Sequence, residues 1–345
     1  EEFARVNGYD KLGERLPKLV DEPTKHVDEY VQLRRLTDFL VGQGFEQAVN
    51  YAFLNKDLQN KVLGSENERT MALGLTGVAL GVENIAVKNP ISEDFAIMRM
   101  SLLPSLAQNV SHNCRHGNLS GQIFEIGRGH YRHNNQYLED QRLAFALWGN
   151  APALWSQKVP AVYRLKSAIE NLLHAFAPTA KYSWKSLEAP LAFLHPSQTV
   201  QLVFQGAPIG FIGSIHPQQA KDMKLREDVA FAELNVMALF KNTKAIKFEN
   251  IPAYPGVEKD LAFVLPKTMK AAEVEKEIVK AGGNLLTSVV VVDLYEDAKA
   301  LGEAQRSLSF RMTFQSPERT LSDDEVMKLL NATIESVTKK LSIHL

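Results

Sequence analysis

The stretch Ser307–Phe314 alternates without a break. Leu308, Phe310, Met312 and Phe314 fall on one side, and Ser307, Ser309, Arg311 and Thr313 on the other. A side-chain period of two belongs to a β-strand with one buried and one wet face. The preceding run, Val289–Tyr295, is β-branched and apolar up to Asp293 and reads as the partner strand of a hairpin. Asp293 and Tyr295 are two apart, so they share a face of that strand. If that face joins the polar face of the next strand, one wet surface carries a carboxylate, an exposed phenol, two hydroxyls and a guanidinium. Such a surface can read an unpaired nucleobase, the ring stacking and the polar groups testing the base edge. It can also be a solvated sheet face with one tyrosine packed at its rim, and these residues alone leave both readings open.

The surroundings of the hairpin specify its layer. Glu258–Leu265 reads as a strand, and a helix follows over about 271–281, with Val274 and Ile278 four apart and Gly282–Gly283 as its stop signal. After the hairpin, Ser322-Asp323-Asp324-Glu325 is a capping box. It opens a helix whose Val326, Leu330, Ile334, Val337 and Leu341 recur at helical spacing. A short last strand is expected in Leu341–Leu345. The order βαββαβ predicts a ferredoxin-like layer, helices on one face and an open sheet face on the other.

The chain has 345 residues, enough for two or three domains. Hydrophobic residues make up 45% and charged residues 23%, ordinary proportions for a globular chain. The net charge is −1, and residues 250–345 hold 12 Lys+Arg against 14 Asp+Glu. Any RNA contact must then rest on stacking and shape more than on a basic field, or on other parts of a larger assembly. Cys114, the one cysteine, excludes an internal disulfide and suits a reducing compartment. No run reaches the length of a membrane span, and no signal-peptide pattern is present. The chain starts without Met in the middle of a helical pattern, which reads as a fragment.

Residues 1–23 read as the tail of an upstream domain with a proline-containing linker over Gly13–Pro23. Residues 24–240 read as one domain, 241–251 as a charged linker, and 252–345 as the ferredoxin-like domain. Within the large domain, Leu33, Leu36 and Leu40 make the stripe of a helix over 27–42, and a strand is expected over 48–54. A helix over 100–109, a strand over 122–126 and a helix over 161–176 follow. Short strands with turns at Gln205–Pro208 and at His216-Pro217 come next, and His195-Pro196 is likewise read as a turn start at a strand end. His112, Cys114 and His116, with His130 and His133, are metal-ligand residue types. A closed zinc site, however, needs four fixed ligands in paired short spacings, so HxCxH without a partner cluster reads as a polar loop. No nucleophile elbow, phosphate-cradling loop or Cys/His nucleophile pair is present.

The runs PGVEKDLAFV, AGGNLLTSVVVVDLY and RSLSFRMTFQSPERTLSDDEV resemble the C-terminal anticodon-binding domain of the bacterial phenylalanyl-tRNA synthetase beta subunit. NPIS, RMSLLPSLAQNV and FEIGR resemble the catalytic-like domain of the same family. The resemblance implies an α+β chain: a class II aminoacyl-tRNA synthetase-like antiparallel sheet domain, then the ferredoxin-like domain. It implies that Tyr295 stacks on the first anticodon base with Asp293 and Ser307 beside it and Ala262 as a backbone-side neighbour. EEFARVNGYDKL resembles the segment in which adjacent glutamates share a magnesium site with two upstream aspartates. Glu1 and Glu2 are thus half of such a site at most, and no metal is expected to bind here.

In an active class II domain an arginine and an acid on the sheet clamp ATP. Arg99 and Glu125 are the candidates, and a structural ion pair is the favoured reading. The glycine-rich strand with a late arginine that completes such a site has no counterpart in Phe193–Pro217. The resemblance therefore implies a non-catalytic cytoplasmic subunit, packed on the alpha subunit that binds ATP and phenylalanine, and holding tRNA(Phe). A single-chain ligase with its own ATP site, a general RNA-binding module and a purely structural partner of the alpha subunit are the other readings.

Overall fold

Every residue from Leu143 to Trp148 is buried, and this run forms the end of an inner strand of the first sheet. Leu143, Phe145 and Leu147 pack into one core, and Ala144, Ala146 and Trp148 into another on the opposite side. A strand covered on both faces reads as a continuous apolar run, so it shows no alternation in the sequence. The computed structural model describes residues 1–11, 28–64, 82–149, 158–187, 192–240 and 251–345. They fall into two compact units, Glu1–Ile246 and Lys247–Leu345. Residues 12–27 and 241–250, and with them nearly all of both expected linkers, lie outside the described residues.

The first unit runs through α1 (Glu2–Asn7), α2 (Asp28–Gly42), β1 (Glu46–Gln47), β2 (Phe53–Leu54), α3 (Lys56–Leu63), β3 (Ile97–Met98) and α4 (Leu103–Arg115). There follow β4 (Gly121–His133), β5 (Gln136–Trp148), α5 (Ala161–Phe176), β6 (Tyr182–Ser186), β7 (Leu194–Phe204), β8 (Ala207–Ile215), α6 (Pro217–Asp222), β9 (Val229–Asn235) and α7 (Val236–Phe240). The sheet order is β1-β4-β5-β9-β8-β7-β6. All neighbours are antiparallel except β1, which pairs parallel with β4. Leu36 and Leu40 of α2 and Leu165, Ile169 and Leu172 of α5 cover one face, while Leu103, Leu106 and Val110 of α4 cover the other. Among the described residues no helix is long and apolar enough to cross a membrane.

Four local expectations are corrected. Of the strand expected over 48–54 only Phe53–Leu54 forms, and the short β1 lies ahead of it: Ala48 N–H goes to Phe124 and Asn50 turns to bond Glu125, and β1 and β2 join different sheets. The helix expected over 100–109 is displaced to Leu103–Arg115, since the Ser101 hydroxyl and the Leu102 N–H bond Glu233 ahead of it. The strand expected over 122–126 extends to His133 and turns back through Asn134-Asn135, both at positive φ, as a two-residue hairpin turn demands. His195-Pro196 lies inside β7, where the pairing slips between Leu194 and Thr199.

The second unit contains β10 (Val257–Pro266), α8 (Ala271–Gly282), β11 (Leu286–Tyr295), α9 (Ala298–Leu301), β12 (Gln305–Phe314) and α10 (Asp323–Leu341). Its sheet order is β10-β12-β11. The expected last strand is reduced to one bridge, Val264 with His344, because α10 runs to Leu341 and Ser342 turns left-handed behind it. Phe263, Leu265, Leu308, Phe310, Met312 and Phe314 pack on Val274 and Ile278 of α8 and Val326, Leu330 and Val337 of α10. The Ser322–Glu325 capping box is formed. Both helices sit on this side of the sheet, which leaves the polar residues of β12 on the other side.

Candidate nucleic-acid interface

β12 is the middle strand of the second unit, so each of its outward residues has a neighbour on both sides. Ser307 stands between Val264 of β10 and Tyr295 of β11; Ser309 stands between Ala262 and Asp293; Arg311 stands between Asp260 and Val290. The four residues expected at the anticodon surface, Tyr295, Asp293, Ser307 and Ala262, thus occupy two adjacent rows of one open face. Ala262, Asp293 and Tyr295 are exposed, and Ser307 and Ser309 are half-buried.

A bulge brings this about. Val291 is opposite Phe310, but Asp293, not Val292, is opposite Ser309. In unbroken register Asp293 would face Leu308, on the helix side of the sheet. One extra residue turns Asp293 and Tyr295 onto the open face, because the side-chain period is two. The Tyr295 hydroxyl donates to Asp297 Oδ2 at 3.1 Å, and this bond to a carboxylate raises the phenol pKa. Beside these rows, Arg311 donates through Nε and Nη2 to both oxygens of Asp260, at 2.9 and 2.8 Å. That fork lowers the Asp260 pKa and raises that of Arg311. Asp260 was missed by sequence reading, although its two-residue offset from Ala262 places both on one face.

In the first unit, Arg99 Nη1 meets Glu125 Oε1 at 2.5 Å, and both side chains are buried. Asn50 Nδ2 donates to the other Glu125 oxygen at 2.7 Å, and Arg99 Nε donates to the Arg128 carbonyl. Close by in the sheet, buried Arg142 holds Asp140 through Nε and Nη2 at 2.9 and 3.0 Å and lies 3.5 Å from Glu233. Burial alone would lower the Arg142 pKa, but Glu233 and Asp140 outweigh it and the net direction is up. Gly127 and Gly129 make room for these guanidiniums: a Cβ at Gly127 would overlap that of Arg99, and one at Gly129 would overlap Met100 O and Arg142 Nε. These guanidiniums and carboxylates thus pair with one another inside the sheet, except that Arg142 Nη1 approaches Glu233 without a hydrogen bond.

His112 lies in the last turn of α4 and His116 is its C-cap, their rings tilted against each other with centres 4.2 Å apart. Cys114 lies between them on another helix side, its thiol pKa pushed up by burial and by Glu227. His130 and His133 are on β4, and burial lowers the His130 pKa. His216 Nδ1 caps α6 by accepting from Gln218 N–H, and His195 Nδ1 accepts from Ser197 N–H inside β7. Glu2 pairs with Arg5 at 2.7 Å, and both Glu1 and Glu2 are exposed. Among the described residues no group of three or more His, Cys, Asp or Glu is placed to hold a metal. Glu1 and Glu2 by themselves supply two exposed carboxylates, one of them engaged by Arg5, and so at most part of a magnesium ligand set.

Residues 12–236 match the family model described as the phenylalanyl tRNA synthetase beta chain CLM domain. Residues 252–345 match the ferredoxin-fold anticodon binding domain. The chain is 36% identical over 351 residues to the phenylalanine–tRNA ligase beta subunit of Bdellovibrio bacteriovorus, covering 99% of this chain and 42% of that protein. It is 31% identical to the beta subunit of Listeria monocytogenes serotype 4b, covering 99% of this chain and 41% of that protein. For the beta subunit of Bacillus subtilis the identity is 30%, with 98% of this chain and 40% of that protein covered. The chain thus spans about two-fifths of the length of these relatives.

Proposed function

Since this chain belongs to the phenylalanyl-tRNA synthetase beta-chain family, we propose that it is the non-catalytic C-terminal portion of a phenylalanine–tRNA ligase beta subunit. Residues 24–240 form the catalytic-like domain, which packs on the alpha subunit in a heterotetramer of two alpha and two beta subunits. The alpha subunit binds ATP and phenylalanine. Residues 252–345 hold the tRNA(Phe) anticodon, and the assembly charges tRNA(Phe) in the cytoplasm. Tyr295 stacks on one unpaired base, Asp293 and Ser307 accept or donate at its edge, and Ala262 keeps the floor low enough for the base to approach.

The observation that carries this reading is the pair of rows Val264–Ser307–Tyr295 and Ala262–Ser309–Asp293, aligned on one open face by the β11 bulge. The ion pairs Arg99–Glu125 and Arg142–Asp140 support the non-catalytic part, because each guanidinium is already held by a carboxylate of this chain. No step runs through magnesium at Glu1 and Glu2. The test is tRNA(Phe) affinity of the assembled ligase with Tyr295→Ala, alongside charging by this chain alone. Loss of one base–aromatic stack is worth about 1–3 kcal/mol. Unchanged affinity would remove Tyr295 from the anticodon site, and charging by the lone chain would overturn the non-catalytic assignment.

A further inference from the structure

The Asp260–Arg311 pair lies on the same open face as Tyr295, Asp293 and Ser307, yet the reading above gives it no part. Four residues of strand separate Ser307 from Arg311, roughly 13 Å at the usual rise. Arg311 therefore addresses a different nucleotide from the one on Tyr295.

Three observations define what it could take. The bidentate fork fixes the guanidinium plane while Arg311 and Asp260 stay about half exposed, at 46% and 47%. Nη1 has no partner among the described residues. Glu258, two residues from Asp260 on the same strand, lies 3.7 Å from Nε, so one cation faces two carboxylates. A phosphate would meet a locally negative surface, whereas a flat, nearly uncharged base would not. The neighbours suit a flat ligand: Val290, across from Arg311, is 53% exposed and apolar, and Ser309 and Ala262 beside it are small. Guanidinium planes stack on unpaired bases as aromatic rings do.

We propose that Arg311, held flat by Asp260, is a second stacking platform for an unpaired nucleobase adjoining the one on Tyr295. Arg311 contacts the base, and Asp260 is a positioning residue. This rests on the anticodon reading of the face. It also explains how a unit with more acidic than basic residues binds RNA: the ion pair supplies a plane without supplying a field.

The test uses the assembled ligase with full-length beta subunit, tRNA(Phe), and tRNA(Phe) made abasic at each anticodon position in turn. Arg311→Ala is expected to weaken binding about tenfold, within the range of a single stack. Arg311→Lys, which keeps the charge and loses the plane, is expected to lose as much, and Asp260→Asn to lose part. The Arg311→Ala loss should vanish on the tRNA lacking the adjoining base, whereas simple charge repulsion would persist there. The slope of log affinity against log salt should stay unchanged. Parent-like binding by Arg311→Lys with a slope lower by about 1 in Arg311→Ala would mean a phosphate contact and overturn the proposal. Parent-like binding by Arg311→Ala would overturn it as well. Tyr295→Ala, run in parallel, separates the two ideas: if it weakens binding while Arg311→Ala does not, only the second platform falls, and if neither does, the whole face is lost as an RNA site.

Discussion

Tyr295 stands directly across β11–β12 from Ser307, while its hydroxyl is turned away to Asp297. The ring is therefore presented as a surface and the phenol is already engaged within the chain. If stacking is its work, Tyr295→Phe keeps tRNA(Phe) affinity within about twofold of the parent, in contrast to Tyr295→Ala. Equilibrium binding of the assembled ligase measures this, and a large loss in Tyr295→Phe would mean that the hydroxyl itself reads the RNA.

Ala262 sits across from Ser309, in the same row as Asp293. It is exposed, so a larger side chain there disturbs no core. Ala262→Leu is expected to leave the melting temperature within the ordinary range of a surface change, about 0.5 kcal/mol. It should weaken tRNA(Phe) binding by raising the floor under the base. Unaltered binding would place the base elsewhere on the sheet.

Arg99 and Glu125 are both buried, and each is the other's charge partner. Removing one partner leaves an uncompensated buried charge, so Glu125→Ala should destabilise the first unit by about 3–5 kcal/mol. The double variant Arg99→Met/Glu125→Leu removes both charges together and should recover much of that loss. Urea unfolding of the parent, single and double variants checks both expectations.

Glu125 is structural, but Glu325 gives a pH-dependent term. The Arg319 fork, then the Ser322 N–H and hydroxyl, lower its pKa from 4.5 to about 2. A folded-state pKa below the unfolded one means stability that is complete above 4.5 and lost as the pH falls toward 2. Melting of the second unit should therefore fall more steeply between pH 5 and about pH 2 in the parent than in Glu325→Gln. Parallel curves for the two would show that the box contributes nothing to acid sensitivity.

Much of the second unit was readable from local pattern. The alternation in Ser307–Phe314 appears as the buried Leu308, Phe310, Met312 and Phe314, and the capping box at Ser322 forms as its residues suggest. The first unit was harder. Leu143–Trp148 of its inner strand β5 shows no alternation, because both faces are covered there, and the Asn134-Asn135 turn sits between strands whose apolar residues do not announce an edge. His112, Cys114 and His116 look like ligands in one dimension, but helical geometry separates the cysteine from the histidines.

By itself the sequence determined which residues could lie on a wet face, because period two and helical spacing are properties of the local backbone. It determined that Asp293 and Tyr295 travel together, and likewise Ser307, Ser309 and Arg311. Only the tertiary structure decided that these two sets meet. A one-residue bulge after Val291 places Asp293 opposite Ser309, and without it the same strand would turn that carboxylate toward the helices. Register is a relation between strands, and so is the contact of Arg311 with Asp260, which lies far away along the chain. Such relations are set by how apolar faces pack, and no local pattern encodes them.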